Sequence, residues 1–126
     1  MANEHNDALL DLFARECEGH LGAIRAALVE LASADAATSG GATARIEATL
    51  HTLAGAARAM ELLDLEYLCR ALENLAHAGT DEGWNAPRLA LFDAALKLAP
   101  ELLAPTPRAR NQMMALAARC AAGVPS

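Results

Sequence analysis

The chain has 126 residues, a formal net charge of −6, 54% hydrophobic residues and only 3% aromatic residues. This length suits one domain with a single core of four or five helices, and an alanine- and leucine-rich sequence with few β-branched residues favours an all-α fold. Acidity without clustered Lys and Arg argues against a nucleic-acid partner, and no basic amphipathic face suits a membrane surface.

The opening residues, Met1 to Asp7, are polar and acidic, unlike a signal peptide. No apolar run approaches the roughly 20 residues needed to span a bilayer, so a cytoplasmic location is expected. The first helix is predicted from about Asn6 or Asp7 to Ala34. Leu10, Phe13, Cys17, Leu21, Ile24, Leu28 and Leu31 recur there at spacings of three and four. Asp35 to Gly41, ending in two glycines, reads as a loop.

A second helix is predicted from about Ala42 to Met60, with Ile46, Leu50, Leu53, Ala57 and Met60 as its apolar stripe. Glu61 to Leu63 is a short connector, and Asp64 suits the N-cap of a third helix. Leu65, Leu68, Cys69, Leu72, Leu75 and Ala76 give that helix its buried face, and Gly79 is a candidate stop. Thr80 to Ala86 forms the next loop, with Trp84 folded back over the end of the bundle.

Pro87 suits the first turn of a fourth helix, whose Leu91, Ala95, Leu98 and Leu102 face inward. Pro100 removes a backbone donor and predicts a kink or an early end. Thr106 can cap, and Pro107 can begin, a short fifth helix packed through Met113, Met114, Leu116, Ala117 and Cys120. Gly123 to Ser126 reads as a frayed tail or the start of a linker. Short connections favour antiparallel neighbours. The expected fold of residues 1–126 is one all-α domain, an antiparallel up-down four-helix bundle with an additional short C-terminal fifth helix.

Cys17, Cys69 and Cys120 are isolated from one another and lie in or beside apolar stripes, as small buried hydrophobes do in a reducing compartment. His5, His20, His51 and His77 show no i, i+3 or i, i+4 pairing with one another, and the single i, i+3 pair with cysteine, Cys17 with His20, is too few ligands, so no metal site is expected.

His51 is the exception to an ordinary helical pattern. At 100° per residue it points roughly 140° away from the middle of its helix's apolar stripe. Gly55, one turn on, points outward, and Ala44 and Ala48 lie on the same side. A solvated face normally carries charged side chains, yet this one is nearly bare around a single imidazole. A glycine inside a helix is destabilising by about 1 kcal/mol relative to alanine, and at this position it clears the flank of the ring.

The antiparallel hairpin about Leu62 brings Glu73 level with His51. A carboxylate there can accept a hydrogen bond from one ring nitrogen, fix the tautomer and leave the other nitrogen unprotonated. Glu73 with His77, and Glu66 with Arg70, can equally form local i, i+4 pairs of an ordinary polar face. A loop centred near Thr38 places about Gly22 to Ala26 of the first helix beside His51. Gly22, Ala26 and Val29 point away from that helix's core stripe, where they either extend the bare patch or lie beneath the fourth or fifth helix. From these residues alone, a histidine in a cleared docking patch and an incidental surface histidine remain two open readings.

The run His51-Thr52-Leu53-Ala54-Gly55-Ala56-Ala57 resembles the His-x-Ile/Leu-Lys-Gly-small-small motif of histidine phosphotransfer (HPt) domains. The first helix, from Leu9 through Leu21, and the third, with Leu68 and Leu72-Glu73-Asn74-Leu75, are similar to those of the N-terminal domain of the chemotaxis histidine kinase CheA. The resemblance covers essentially the whole chain. It implies that His51 accepts a phosphoryl group through Nε2 from an ATP-dependent histidine kinase domain. It implies passage of that group to an aspartate of a response-regulator receiver domain, of the CheY or CheB type in chemotaxis.

Glu73 would orient the imidazole, and positioning would be the domain's main contribution to rate. The resemblance implies no cofactor bound here, with ATP and Mg acting through the partner domains, and a monomeric domain. The sequence departs from the motif at Ala54, where the family usually has lysine. Gly55, Ala54, Arg58 and Arg70 then form the expected phosphoryl environment, with Arg58 or Arg70 as substitute counter-charge. Gly22, Ala26, Val29, Glu47, Ala48 and Arg58 form the expected docking face. A stand-alone HPt relay protein and a non-catalytic helical adaptor are the alternatives. No constellation of nucleophile, base and oxyanion donors suggests an independent enzyme.

Overall fold

A computed structural model describes residues 2–33 and 36–123, with side chains from 7–33 and 39–123. The described residues form α1 (Ala2–Ser33), α2 (Ala36–Ala59), α3 (Leu63–Glu82), α4 (Ala86–Leu98), a short 3₁₀ helix (Ala99–Leu103) and α5 (Pro107–Ala122). No strand occurs among them. The core takes Phe13, Cys17, Leu21, Ile24 and Leu31 from α1, and Ile46, Leu50, Leu53 and Ala57 from α2. Leu65, Leu68, Leu72 and Leu75 of α3 and Leu91, Phe92, Ala95 and Leu96 of α4 complete it. These are the positions that helical periodicity aligns on one face. α2 lies between α1 and α3, while α4 closes against α1 and α3, and α5 against α3 and α4.

Several boundaries differ from expectation. α1 begins at Ala2 instead of Asn6 or Asp7, and α2 begins at Ala36, so 36–41 is helix where a loop was expected. Ala34 and Asp35, and Val124 to Ser126 of the expected tail, lie outside the described residues, as do the side chains of His5 and Asn6. Gly40 and Gly41 oppose helix by about 1 kcal/mol each. Packing overrides them: Ala42 and Thr43 are buried, Thr43 Oγ1 donates to the Ser39 carbonyl at 2.8 Å, and Trp84 Nε1 donates to Thr43 Oγ1 at 2.8 Å.

Gly79 does not end α3, which continues to Glu82 with Gly83 as its C-cap at φ 85°. Gly79 answers to packing: a Cβ there would lie 2.8 Å from Trp84 Nε1. The N-cap of α3 is Leu62, while Asp64 meets Arg110 of α5 at 3.1 Å. Asn85 and Thr106 cap α4 and α5 by accepting from Arg88 N and Ala109 N. Pro100 sits where α4 gives way to the 3₁₀ turn. α5 is 16 residues long, more than the 13 of α4, so it is not the short addition expected. Its buried positions are Ala109, Met113 and Ala117, whereas Met114 is 51% exposed and does not pack inward.

The turn between α2 and α3 sets the site. Leu62 N donates to the Ala57 carbonyl at 2.8 Å, and Glu61 N to the Arg58 carbonyl at 3.0 Å. This is a Schellman cap with Glu61 in the left-handed position at φ 60°. A non-glycine residue is strained there by roughly 1–2 kcal/mol. Glu61→Gly is therefore expected to stabilise the chain by about 0.5–1 kcal/mol after the extra unfolded-state entropy of glycine is deducted. Urea denaturation at fixed pH checks this, and a lower midpoint for the variant would contradict it.

Cys17 of α1 and Cys69 of α3 are buried. Burial foremost pushes the Cys17 thiol to about 11, with Glu18 adding. Burial likewise pushes Cys69 to about 12, with Cys17 and Glu73 adding. The unfolded chain loses these protons from about pH 9 while the folded chain keeps them, so stability falls as pH rises above 9. Denaturation midpoints at pH 8 and 10.5 test the sign. The decline should be shallower in Cys69→Ala, and an equal slope in both proteins would refute this cause.

Candidate functional site

α2 and α3 form an antiparallel hairpin whose outer edges carry matched polar rows. Glu47, His51, Gly55 and Arg58 follow at steps of four, four and three along α2, and Glu66, Arg70, Glu73 and His77 at comparable steps along α3. Such steps keep side chains on one helix edge. Three carboxylates make contacts across the hairpin: Glu47 to His77 at 3.0 Å, Glu73 to His51 at 3.5 Å, and Glu66 to Arg58 at 3.5 Å. Each pair is centred on Leu62, so the Schellman turn fixes their register. The buried leucines between the rows hold the rungs on a rigid support.

The His51 side chain is 72% exposed. Its Nδ1 faces two groups from α3, the Arg70 guanidinium Nη1 at 3.2 Å and a Glu73 carboxylate oxygen at 3.5 Å. Arg70 Nη1 also donates to the other Glu73 oxygen at 3.0 Å, and Arg70 Nη2 lies 3.8 Å from Glu66. The guanidinium can only donate and the carboxylate only accept. Arg70 thus favours the tautomer with Nδ1 bare, and Glu73 the tautomer with Nδ1 protonated and Nε2 free as nucleophile. The ring stands between two settings of one proton.

Arg58, Glu66, Arg70 and Glu73 run as a continuous chain of alternating charge that ends against the His51 ring. Glu66 and Glu73 are mostly covered, while Arg58 is exposed. Arg58 engages Glu66 on the rung nearest the turn. Arg70 is the cation beside the ring.

Ala54 is fully buried and contributes only to the core, which corrects its assignment to the phosphoryl environment. Its outward neighbour Gly55 is exposed, and a Cβ there would meet nothing within 4 Å. By the register about Leu62, Arg70 stands level with Ala54. Ala44 and Ala48 are exposed and line an open groove with Glu47, His51, Glu73, Asn74 and His77.

On α1, Gly22 and Ala26 are exposed and Val29 is 70% exposed, so α4 and α5 do not cover them. Glu30 pairs with Arg45. Six residues on along α2 and six back along α1, Ile24 comes level with His51, between Gly22 and Ala26.

His77, for which a local pair with Glu73 was one open reading, turns across the hairpin to Glu47. The signal was in the sequence as the two Glu-x-x-x-His runs of the hairpin, Glu47 to His51 and Glu73 to His77, a third, Glu16 to His20, lying apart on α1. Among the described residues, no group of three or more His, Cys, Asp or Glu is placed to hold a metal ion. No described helix is long and apolar enough to cross a membrane.

A family model described as the Hpt domain matches residues 8–119. No curated protein and no solved structure matches the chain.

Proposed function

The chain belongs to the Hpt domain family, whose members carry histidine phosphotransfer in two-component phosphorelays, and on that premise we propose that His51 is the residue that carries the phosphoryl group. The observation that carries the reading is an exposed imidazole whose Nδ1 is the ring nitrogen that meets the opposite helix.

With its proton on Nδ1 and directed at Glu73, the ring presents the Nε2 lone pair to phosphorus. The Nε2–P bond forms as the bond from phosphorus to the departing ADP oxygen breaks. Nucleotide and divalent metal come with the histidine kinase catalytic domain and the receiver domain; this domain binds neither. Onward transfer reverses the logic: Nε2 leaves as a carboxylate oxygen of the receiver aspartate attacks, and a proton on Nδ1 makes the imidazole the better leaving group. Glu73 is the acceptor that keeps that proton in place.

Arg70 supplies the counter-charge that the motif lysine provides in relatives. It stands level with Ala54 but on the facing helix, and its guanidinium already lies against the ring. Gly55 leaves the space over which the phosphoryl oxygens approach it. The docking face comprises Gly22, Ala26, Val29, Glu47 and Ala48, rimmed by Arg58. Small exposed residues there admit a flat partner surface to the ring.

We further read α1 to α4 as the up-down bundle of a CheA-type N-terminal domain acting as a monomer in the cytoplasm, with chemotaxis regulators as the recipients. Glu73 opposite His51 and the presence of α5 support this over a stand-alone relay protein. The test is incubation with a purified histidine kinase catalytic domain and γ-labelled ATP, then with a receiver domain. Acid-labile label that moves to the receiver supports phosphotransfer; absence of label with several such kinases would favour a helical adaptor.

A further inference from the structure

The two Glu-x-x-x-His runs make the hairpin face nearly symmetric. A half-turn about an axis through the centre of the Glu47, His51, Glu73 and His77 square exchanges Glu47 with Glu73 and His51 with His77. His77 then occupies the same setting as His51: an exposed ring, 82% in this case, whose Nδ1 meets a carboxylate from the facing helix. The contact is tighter, 3.0 Å against 3.5 Å. The half-turn carries Arg70 onto Ala44, so the guanidinium that contests Nδ1 of His51 has an alanine as its counterpart beside His77. Glu47 can only accept, and it selects the tautomer with Nδ1 protonated and Nε2 bare.

We infer that His77 is a second phosphoacceptor of this chain. It shares with the proposed function only the chemistry of phosphoryl transfer to imidazole. Nε2 of His77 attacks the phosphorus of a phosphoryl donor, the Nε2–P bond forms, the donor's bond to its leaving group breaks, and Nδ1 retains its proton against Glu47. The symmetry fails in two instructive places. Ala44 stands where Arg70 would be, and Asp81 follows His77 by one turn where Gly55 follows His51. The adduct on His77 therefore lacks a cation and has a carboxylate on its flank. It should form readily and be lost sooner than the adduct on His51.

The test uses phosphoramidate, a small donor that transfers its phosphoryl group and releases ammonia without a kinase. Labelled positions are mapped by mass spectrometry, and the ring nitrogen is identified by phosphorus NMR. In His51→Gln, His77 should become phosphorylated at Nε2, faster than the partly exposed His20 of α1. Adding Glu47→Gln should slow His77 about tenfold, the effect of one charge-assisted hydrogen bond, while His20 keeps its rate. Labelling of His77 no faster than His20, or at an unchanged rate in Glu47→Gln, would overturn the inference. The His51 reading is judged separately in His77→Gln, where label at His51 is expected whatever His77 does.

Discussion

Kinase-driven uptake of phosphoryl is expected to fall by roughly 10³-fold or more in His51→Gln, because the substitution removes the attacking atom itself. The change should not disturb the fold. His51 is exposed, and the leucines that seat its helix, Leu50 and Leu53, point the other way and are fully buried. Surface substitutions away from special features usually shift stability by less than about 0.5 kcal/mol. Circular dichroism and the denaturation midpoint should therefore match the parent. Residual label, where found, should map to His77. Wild-type uptake in a well-folded His51→Gln protein would remove His51 from the relay.

Glu73→Ala should slow phosphorylation by roughly ten- to hundredfold, the rate equivalent of the about 1.5–3 kcal/mol that a charge-assisted hydrogen bond from Nδ1 to Glu73 would contribute as the ring attacks. The direction follows from the two groups at Nδ1. Without Glu73, Arg70 remains 3.2 Å from the nitrogen and can only donate, so the ring is drawn to the tautomer whose Nε2 carries the proton and cannot attack. Arg70→Ala removes the opposing influence. It should leave the rate of attack nearly intact but lower the extent of phosphorylation at equilibrium, because the product loses its counter-charge. A double-mutant cycle measuring both rate and extent separates these roles. Equal losses of rate in the two single variants would contradict the division.

The outward direction of His51 was legible because Ile46, Leu50, Leu53 and Ala57 keep strict helical period, and all four are fully buried. The level of Glu73 was legible because a short turn leaves little freedom in the register of a hairpin. The start of α2 was not. Two adjacent glycines are a strong local loop signal, and what defeats it is Trp84 reaching Thr43 from 41 positions away. Met114 misled for a related reason: the buried face of α5 steps from Ala109 to Met113 to Ala117, and the next residue lies about 100° around the helix.

The competition at Nδ1 was hidden in the reach of a side chain. Arg70 and Glu73 are three residues apart on one helix, an ordinary ion pair by spacing, and only the fold brings both to the same ring nitrogen. The partner of His77 was hidden likewise, since a local pairing with Glu73 and a crossing to Glu47 fit the same residues.

The cap at Glu61 carries a consequence for how this chain can change its length. Every rung of the hairpin is measured outward from that turn, so one residue added between Arg58 and Leu65 would rotate one polar row by about 100° against the other. Glu47, His51 and Arg58 would lose their partners together, although Glu47 and His51 lie well away from the insertion. Where α3 passes to α4 no rung depends on the spacing, and an added residue would alter the corner around Trp84 and Arg88 and, through Trp84, the start of α2, while leaving the rungs in register. The chemistry is thus written partly in a count of residues: this turn tolerates exchange of side chains far more readily than insertion or deletion.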